Sequence, residues 1–167
     1  MKRILMTLLL ACSSLTAGPA LAELQKGMTA LVTGANRGIG LELARQLQAR
    51  GLNVIGTARK PAGADALNAL EVRVEQLDVT DPASVAALAA RLEGVKIDLL
   101  VNNAGVGGEA GGSIASTDFE QLAMVFDVNS TGPMRVTQAL LPNLEAGDGK
   151  TVVQISSVMG SIAGNGG

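Results

Sequence analysis

Thr33-Gly34-Ala35-Asn36-Arg37-Gly38-Ile39-Gly40 is the stretch of this chain with the most pointed chemistry. It stands where a short apolar run ends and a helical pattern begins. Gly34 permits a tight turn, Gly38 lets the backbone approach a pyrophosphate, and Gly40 lets the helix pack close to the strand. A helix starting there offers free N–H groups and a favourable dipole to phosphates. With a strand before it and a helix after it, the loop reads as a dinucleotide-binding turn; without that context it is an ordinary Gly-rich loop. A second Gly-rich stretch, 102–117, carries Gly105, Gly107, Gly108, Gly111 and Gly112. Groups able to move protons are scarce, because the chain has no His and no Tyr, and only one Cys. A Ser-His-Asp triad, a Cys-His dyad, a Cys-based zinc site and an internal disulfide are excluded, and no metal site is expected. Acid–base chemistry is left to carboxylates, Lys, a hydroxyl or a bound cofactor.

The elements that must position these residues alternate. Residues 29–32 form an apolar run and read as a buried strand. Ile39, Leu43 and Leu47 recur at helical spacing, and that helix stops near Gly51. Residues 53–57 read as a second strand, 62–70 as a weak helix entered through Pro61, and 72–77 as a third strand. Asp81 can cap a helix with Pro82 at its first position, striped by Val85, Leu88 and Leu92. Residues 97–101 form a fourth strand, 118–144 a helical region bent at Gly132-Pro133, and 151–155 a fifth strand. Strands joined by helical crossovers predict an α/β fold, a doubly wound parallel sheet of the Rossmann type with order 3-2-1-4-5. Loop 102–117 then follows a strand's carboxyl end, where open α/β sheets bind ligands.

Composition agrees with one domain: 167 residues, 47% hydrophobic, 17% charged, with net charge −2. The basic residues are scattered, so no nucleic-acid footprint is present. Residues 1–22 read as a secretory signal peptide, with Lys2 and Arg3, an apolar core, and Ala20-Leu21-Ala22 before Glu23. Its apolar core is too short to span a bilayer, so no membrane span is expected. Leu9-Leu10-Ala11-Cys12 is an imperfect and early match to a lipoprotein box. The leader predicts an exported, periplasmic protein; a start at Met28 would instead leave it cytoplasmic.

Together these segments resemble the short-chain dehydrogenase/reductase family, whose glycine spacing is that of Gly34, Gly38 and Gly40. The resemblance runs from about Met28 to the last residue and implies a dinucleotide-binding domain over 28–167. Asp78-Val79 matches the family's adenine-contacting pair, and Asn102-Asn103-Ala104-Gly105 its NNAG element bordering the cofactor. Asn129 matches an Asn of the catalytic set. Ser157, followed by Val158-Met159-Gly160, matches the catalytic Ser better than Ser156 does. Each match also has a plain structural reading. Asp78 can cap a turn, Asn102 and Asn103 can satisfy nearby backbone, and Asn129 can accompany a kink at Gly132. Ser156 and Ser157 can be turn residues, and Phe119 and Phe126 are expected in the core. Within the family, residues 36–42 and 129–133 look most like the carbonyl-reductase and C-factor-like subgroup.

The resemblance implies hydride transfer between a nicotinamide and a small-molecule carbonyl or alcohol substrate, in proteins that assemble as homo-oligomers. A Tyr acts as acid or base, a Lys four residues later lowers its pKa, Ser157 orients the carbonyl oxygen, and Asn129 holds a relay water. The Tyr-x-x-x-Lys element is absent from this chain, which therefore reads as truncated after its fifth strand. An edge left on that strand and an uncovered apolar face are the expected results. NAD-specific sites of this kind place an acid at the end of the second strand, whereas this chain has Arg59 and Lys60 there and Arg37 in the glycine loop. Two guanidiniums fit a 2′-phosphate, so NADP(H) is expected over NAD(H), Ile39 lining the same turn. Three readings stay open: a fragment of an active oxidoreductase, a non-catalytic dinucleotide-binding or signalling protein, and an inactive truncated gene product.

Overall fold

Along the first strand, Ala30 and Val32 point to one side and Leu31 to the other, and all three are fully buried. That period-two placement requires cover on both faces, and helices supply it. The structure, a computed structural model, describes residues 24–107 and 114–157. The signal-peptide reading of 1–22, Gly108, Gly111 and Gly112 of the second Gly-rich loop, and the Val158-Met159-Gly160 context of Ser157 lie outside the described residues.

The chain runs β1 Thr29–Val32, α1 Gly38–Ala49, β2 Asn53–Ala58, α2 Asp65–Asn68, β3 Arg73–Gln76, α3 Pro82–Arg91 and β4 Leu99–Asn102. It continues through α4 Phe119–Phe126, a π-helical turn Asp127–Thr131, α5 Gly132–Ala139, α6 Leu141–Ala146 and β5 Thr151–Gln154. The five strands form one sheet in the order β3-β2-β1-β4-β5, every pairing parallel. Fold class and strand order are those expected from the sequence.

One apolar layer joins Ala30 and Val32 to Leu99 and Val101 beneath Ala44, Leu47 and Leu67 of α1 and α2. The other joins Leu31, Ile55 and Leu100 to Val85 and Leu88 of α3, to Val136 of α5, to Leu144 of α6 and to Leu140 between those two helices. Caps set the helix starts. The Asp81 carboxylate accepts the Ala83 N–H at 2.9 Å ahead of α3, and Asp118 accepts those of Glu120 and Gln121 at 2.9 and 3.0 Å ahead of α4.

Several local expectations change. The weak helix expected over 62–70 is a single 3₁₀ turn, Pro61–Gly63, followed by the one-turn α2. The region 118–144 is not one bent helix. It breaks first at the π-helical turn, just ahead of Gly132, because Pro133 has no N–H to give a carbonyl in the preceding turn. It breaks again at Leu140, with Pro142 in the first turn of α6. Phe119 and Phe126 are not core residues: they are 71% and 60% exposed, and no residue of α4 is buried. That helix is apolar on most sides, so a seven-residue spacing could not tell whether either Phe is buried. On α1 the buried residues are Gly40, Ala44 and Leu47, while Ile39 is 64% exposed. Small residues face the sheet because the helix lies close to it.

Candidate cofactor site

At the carboxyl end of β1 the chain turns through Gly34 into α1, and the surrounding strand ends close around that turn. Gly34 has φ +65, and a Cβ there would lie 2.9 Å from the Ala104 Cα. Its N–H reaches the Thr57 hydroxyl at 3.3 Å, and the Ala35 N–H reaches the Thr57 carbonyl at 2.8 Å. The Thr33 hydroxyl accepts the N–H groups of Asn103 and Ala104, each at 2.9 Å. The Asn103 side-chain amide then donates to the carbonyls of Thr33 at 2.9 Å and Gly34 at 3.2 Å. A Cβ on Gly40 would run into that same amide nitrogen and into the Gly34 carbonyl. The close packing expected of Gly40 is thus explicit: the methyl-sized space at the root of α1 is filled by Asn103.

Gly38 differs. It has φ +57, and a Cβ there would meet nothing within 4 Å. Arg37 precedes it in extended backbone at the cap of α1 without a capping side-chain bond, and the first turn of that helix carries no acid. Asn36, Arg37, Gly38 and Ile39 are all exposed. The first N–H groups of this twelve-residue helix are left for a partner from outside.

Around this turn lie the other candidates. Arg59 and Lys60 follow β2 and are exposed. Asp78 follows β3 and accepts both the Thr80 hydroxyl at 2.7 Å and the Thr80 N–H at 3.0 Å, the turn-capping geometry. Those two bonds, aided by the Arg59 charge, hold the Asp78 carboxyl below the usual range against burial and the Asp127 charge. Val79 beside it is buried. Past β4, Ala104 and Gly105 line the approach, while buried Asn102 donates its amide to the Thr137 hydroxyl at 3.1 Å.

Asn129 sits in the π-helical turn and its amide is engaged at both ends. Its Oδ1 accepts the Val106 N–H at 2.9 Å and its Nδ2 donates to the Val106 carbonyl at 2.8 Å. It holds the loop after β4 as well as occupying a distorted turn. Ser157 is exposed, three residues past the end of β5. The structure therefore gathers Gly34, Gly38, Gly40, Asn103, Ala104 and Gly105 at adjoining strand ends, with Arg59 and Asp78 just past the ends of β2 and β3. Sequence reasoning missed Thr33, Thr57 and Arg135 as parts of this framework. The threonines at strand ends were visible; nothing local marked Arg135.

Among the described residues no group of three or more His, Cys, Asp or Glu could hold a metal ion, and no helix is long and apolar enough to cross a membrane. A family model for short chain dehydrogenases matches residues 28–167. The chain belongs to the short chain dehydrogenase family. A relative in this family, (+)-neomenthol dehydrogenase from Arabidopsis thaliana, is 37% identical over 161 residues, covering 80% of this chain and 54% of that protein. The chain thus spans about half the length of the curated relative. The fold matches NADPH-bound carbonyl reductase from chicken fatty liver with TM-score 0.76 and 34% identity, covering 86% of this chain and 62% of that one. It also matches a short-chain dehydrogenase/reductase from Burkholderia multivorans with bound NADP: TM-score 0.75, 32% identity, covering 84% of this chain and 63% of that one.

Proposed function

We propose that this chain forms the dinucleotide-binding part of an NADP(H)-dependent oxidoreductase acting on a carbonyl or alcohol carbon. One observation carries the reading: the N-terminus of α1 opens at Gly38 onto free space, with exposed Arg37 beside it. The residues present fit such a cofactor. N–H groups of α1 would take the pyrophosphate, and the Gly38 backbone leaves room for it. Arg37 and Arg59 would hold a 2′-phosphate, and β2 ends in Thr57-Ala58-Arg59-Lys60 without the carboxylate that would favour a bare ribose. Asp78 and Val79 would border the adenine, and Ala104 and Gly105 the path toward the nicotinamide. The bound carbonyl reductase and Burkholderia structures support NADP(H) as the cofactor.

When bound, the cofactor would supply or accept the hydride. Asn129 would keep the loop after β4 in place through its two bonds to Val106. Ser157 would orient a carbonyl oxygen. An ordinary Ser hydroxyl is far too weak an acid to deliver the proton near neutrality, and these 167 residues contain neither His nor Tyr. The proton for reduction would then come from a carboxyl, a Lys, solvent or a group outside these residues. The same composition favours a second reading, dinucleotide binding without turnover by this chain.

Titration of the purified 167-residue chain with NADPH and NADH, followed by nicotinamide fluorescence, tests the reading. NADPH should bind at least about tenfold more tightly than NADH, the difference expected when charge-assisted bonds to the 2′-phosphate are lost. Arg37→Ala and Arg59→Ala should each shrink that preference. Equal affinities for the two dinucleotides would refute the choice of NADP(H), and binding of neither would refute the site.

A further inference from the structure

We propose that Arg135 is a positioning residue for the adenosine end of this site, tying α5 to the backbone of Val79, next to Asp78. The inference rests on the dinucleotide-binding reading above and adds a residue to it. Arg135 is half-hidden on α5, and its guanidinium forks. Nη1 donates to the Val79 carbonyl at 2.5 Å, across 56 positions of sequence, and Nη2 donates to Asp127 Oδ1 at 2.9 Å. Asp127 Oδ1 also accepts the Thr131 hydroxyl at 2.6 Å, so one oxygen serves both the π-helical turn and Arg135.

Val79 is held from a second direction. A Cβ on Gly132 would lie 3.0 Å from Val79 Cγ2, so the start of α5 packs directly against that side chain. Contact and fork together fix where the chain runs just after β3. The same segment carries Asn129, whose amide closes on Val106 after β4. Residues 127–135 thereby grip two loops that border the site, one toward the adenosine and one toward the nicotinamide.

Charge makes the placement of Arg135 more than a tie. Asp127 is close enough to Asp78 to oppose its ionisation, while Arg59 supports it. Arg135, paired to Asp127, offsets part of that opposing charge. Removing the guanidinium would leave the Val79 carbonyl short of a charge-assisted donor and release an unpaired anion beside the adenosine site. A lysine can reach one partner but cannot fork to both.

The test uses the full 167-residue chain and 2′,5′-ADP, which carries the adenosine half of NADP alone. Binding is measured by calorimetry at a temperature where circular dichroism shows every variant folded. Arg135→Met should weaken 2′,5′-ADP by about tenfold, the effect of losing a hydrogen bond to a charged group. Arg135→Lys should recover part of that loss. Val136→Ala serves as the control, since Val136 is fully buried on the same helix, in the apolar layer that includes Val79, and its side chain can make no hydrogen bond. It should lower Tm while leaving the affinity within about twofold of wild type, because its cost is a packing cavity. If Arg135→Met binds like wild type, or if Val136→Ala weakens binding as much, Arg135 is merely structural and the proposal falls. Should Arg135→Met not fold, Arg135→Lys decides by the same comparison: wild-type affinity overturns the proposal. A wild-type chain that binds 2′,5′-ADP and NADPH separates this outcome from failure of the dinucleotide reading; one that binds neither overturns both.

Discussion

Gly38 and Gly40 stand two positions apart in one loop, yet a methyl group at each meets opposite surroundings. At Gly40 it would strike the Asn103 amide and the Gly34 carbonyl, neither of which can move without opening the β1–β4 seam. At Gly38 it would meet open space but adopt φ +57, a left-handed conformation that L-residues disfavour. Gly40→Ala should therefore destabilise the fold by roughly 2 kcal/mol, in the range of overpacking a tight site. Gly38→Ala should cost about 1 kcal/mol of backbone strain and show itself chiefly as weaker NADPH binding. Thermal melts set beside NADPH titrations check the contrast; a larger Tm loss for Gly38→Ala would overturn it. At this scale the glycines were legible because their spacing is dictated locally, by one turn between one strand and one helix. The partners that complete the framework were not. Arg135 acts on a carbonyl 56 positions away, and Asn103 reaches back 69 positions to Gly34, distances that no local pattern records.

At the scale of elements, the two ends of the sheet are held by different chemistry. The carboxyl ends meet at the glycine turn. Near the amino ends of β1 and β4, Asp98 is buried and accepts three backbone N–H groups, from Thr29 at 2.8 Å, Asp148 at 2.7 Å and Gly149 at 3.0 Å. Burial pushes its carboxyl pKa up, but those three donors and the nearby Lys96 charge outweigh it and hold the group below the usual range. A carboxyl depressed on folding contributes stability that is fully present above its unfolded pKa, about 3.9, and is lost as pH falls through the folded value. Denaturant unfolding from pH 7 downward should therefore show stability falling below about pH 4. Asp98→Asn should be weaker at pH 7 by about 1–3 kcal/mol, because it leaves a buried N–H unpaired, and should lose less on acidification. An acid slope identical to wild type would exclude this role. Strands and most helix starts were readable here because caps such as Asp81 and Asp118 lie next to what they cap. That α4 buries none of its residues was not readable, since its apolar residues do not form a single stripe. The break ahead of Gly132 depends on how the whole region docks.

Taken whole, the molecule is well covered on its β3, β2 and β1 side and less so near β5. Among the described residues β5 pairs only with β4, and Val152, Val153 and Ile155 remain exposed. Ile114, Phe119, Phe126 and Met134 add apolar surface on the helices that precede it. An unpaired apolar edge invites pairing with another chain. The 167-residue chain should therefore associate as its concentration rises, read by light scattering, and Val153→Lys should suppress this by placing a charge on the edge. A wild-type chain that stays monomeric across that range would contradict the expectation.

The strand order has one more consequence, for how such a chain is made. A ribosome delivers β1, β2 and β3 first, and these can assemble with α1 and α2 as they emerge. The partner for the other edge of β1 is β4, which arrives only after α2, β3 and α3 have been synthesised. Throughout that interval the central strand of the finished sheet carries an open edge, with Leu31 facing a layer that still lacks Leu100, Val136 and Leu140. The centre of the native fold is thus the frontier of the nascent one. A chaperone that recognises extended apolar chain would find its target there, before residue 99 leaves the ribosome.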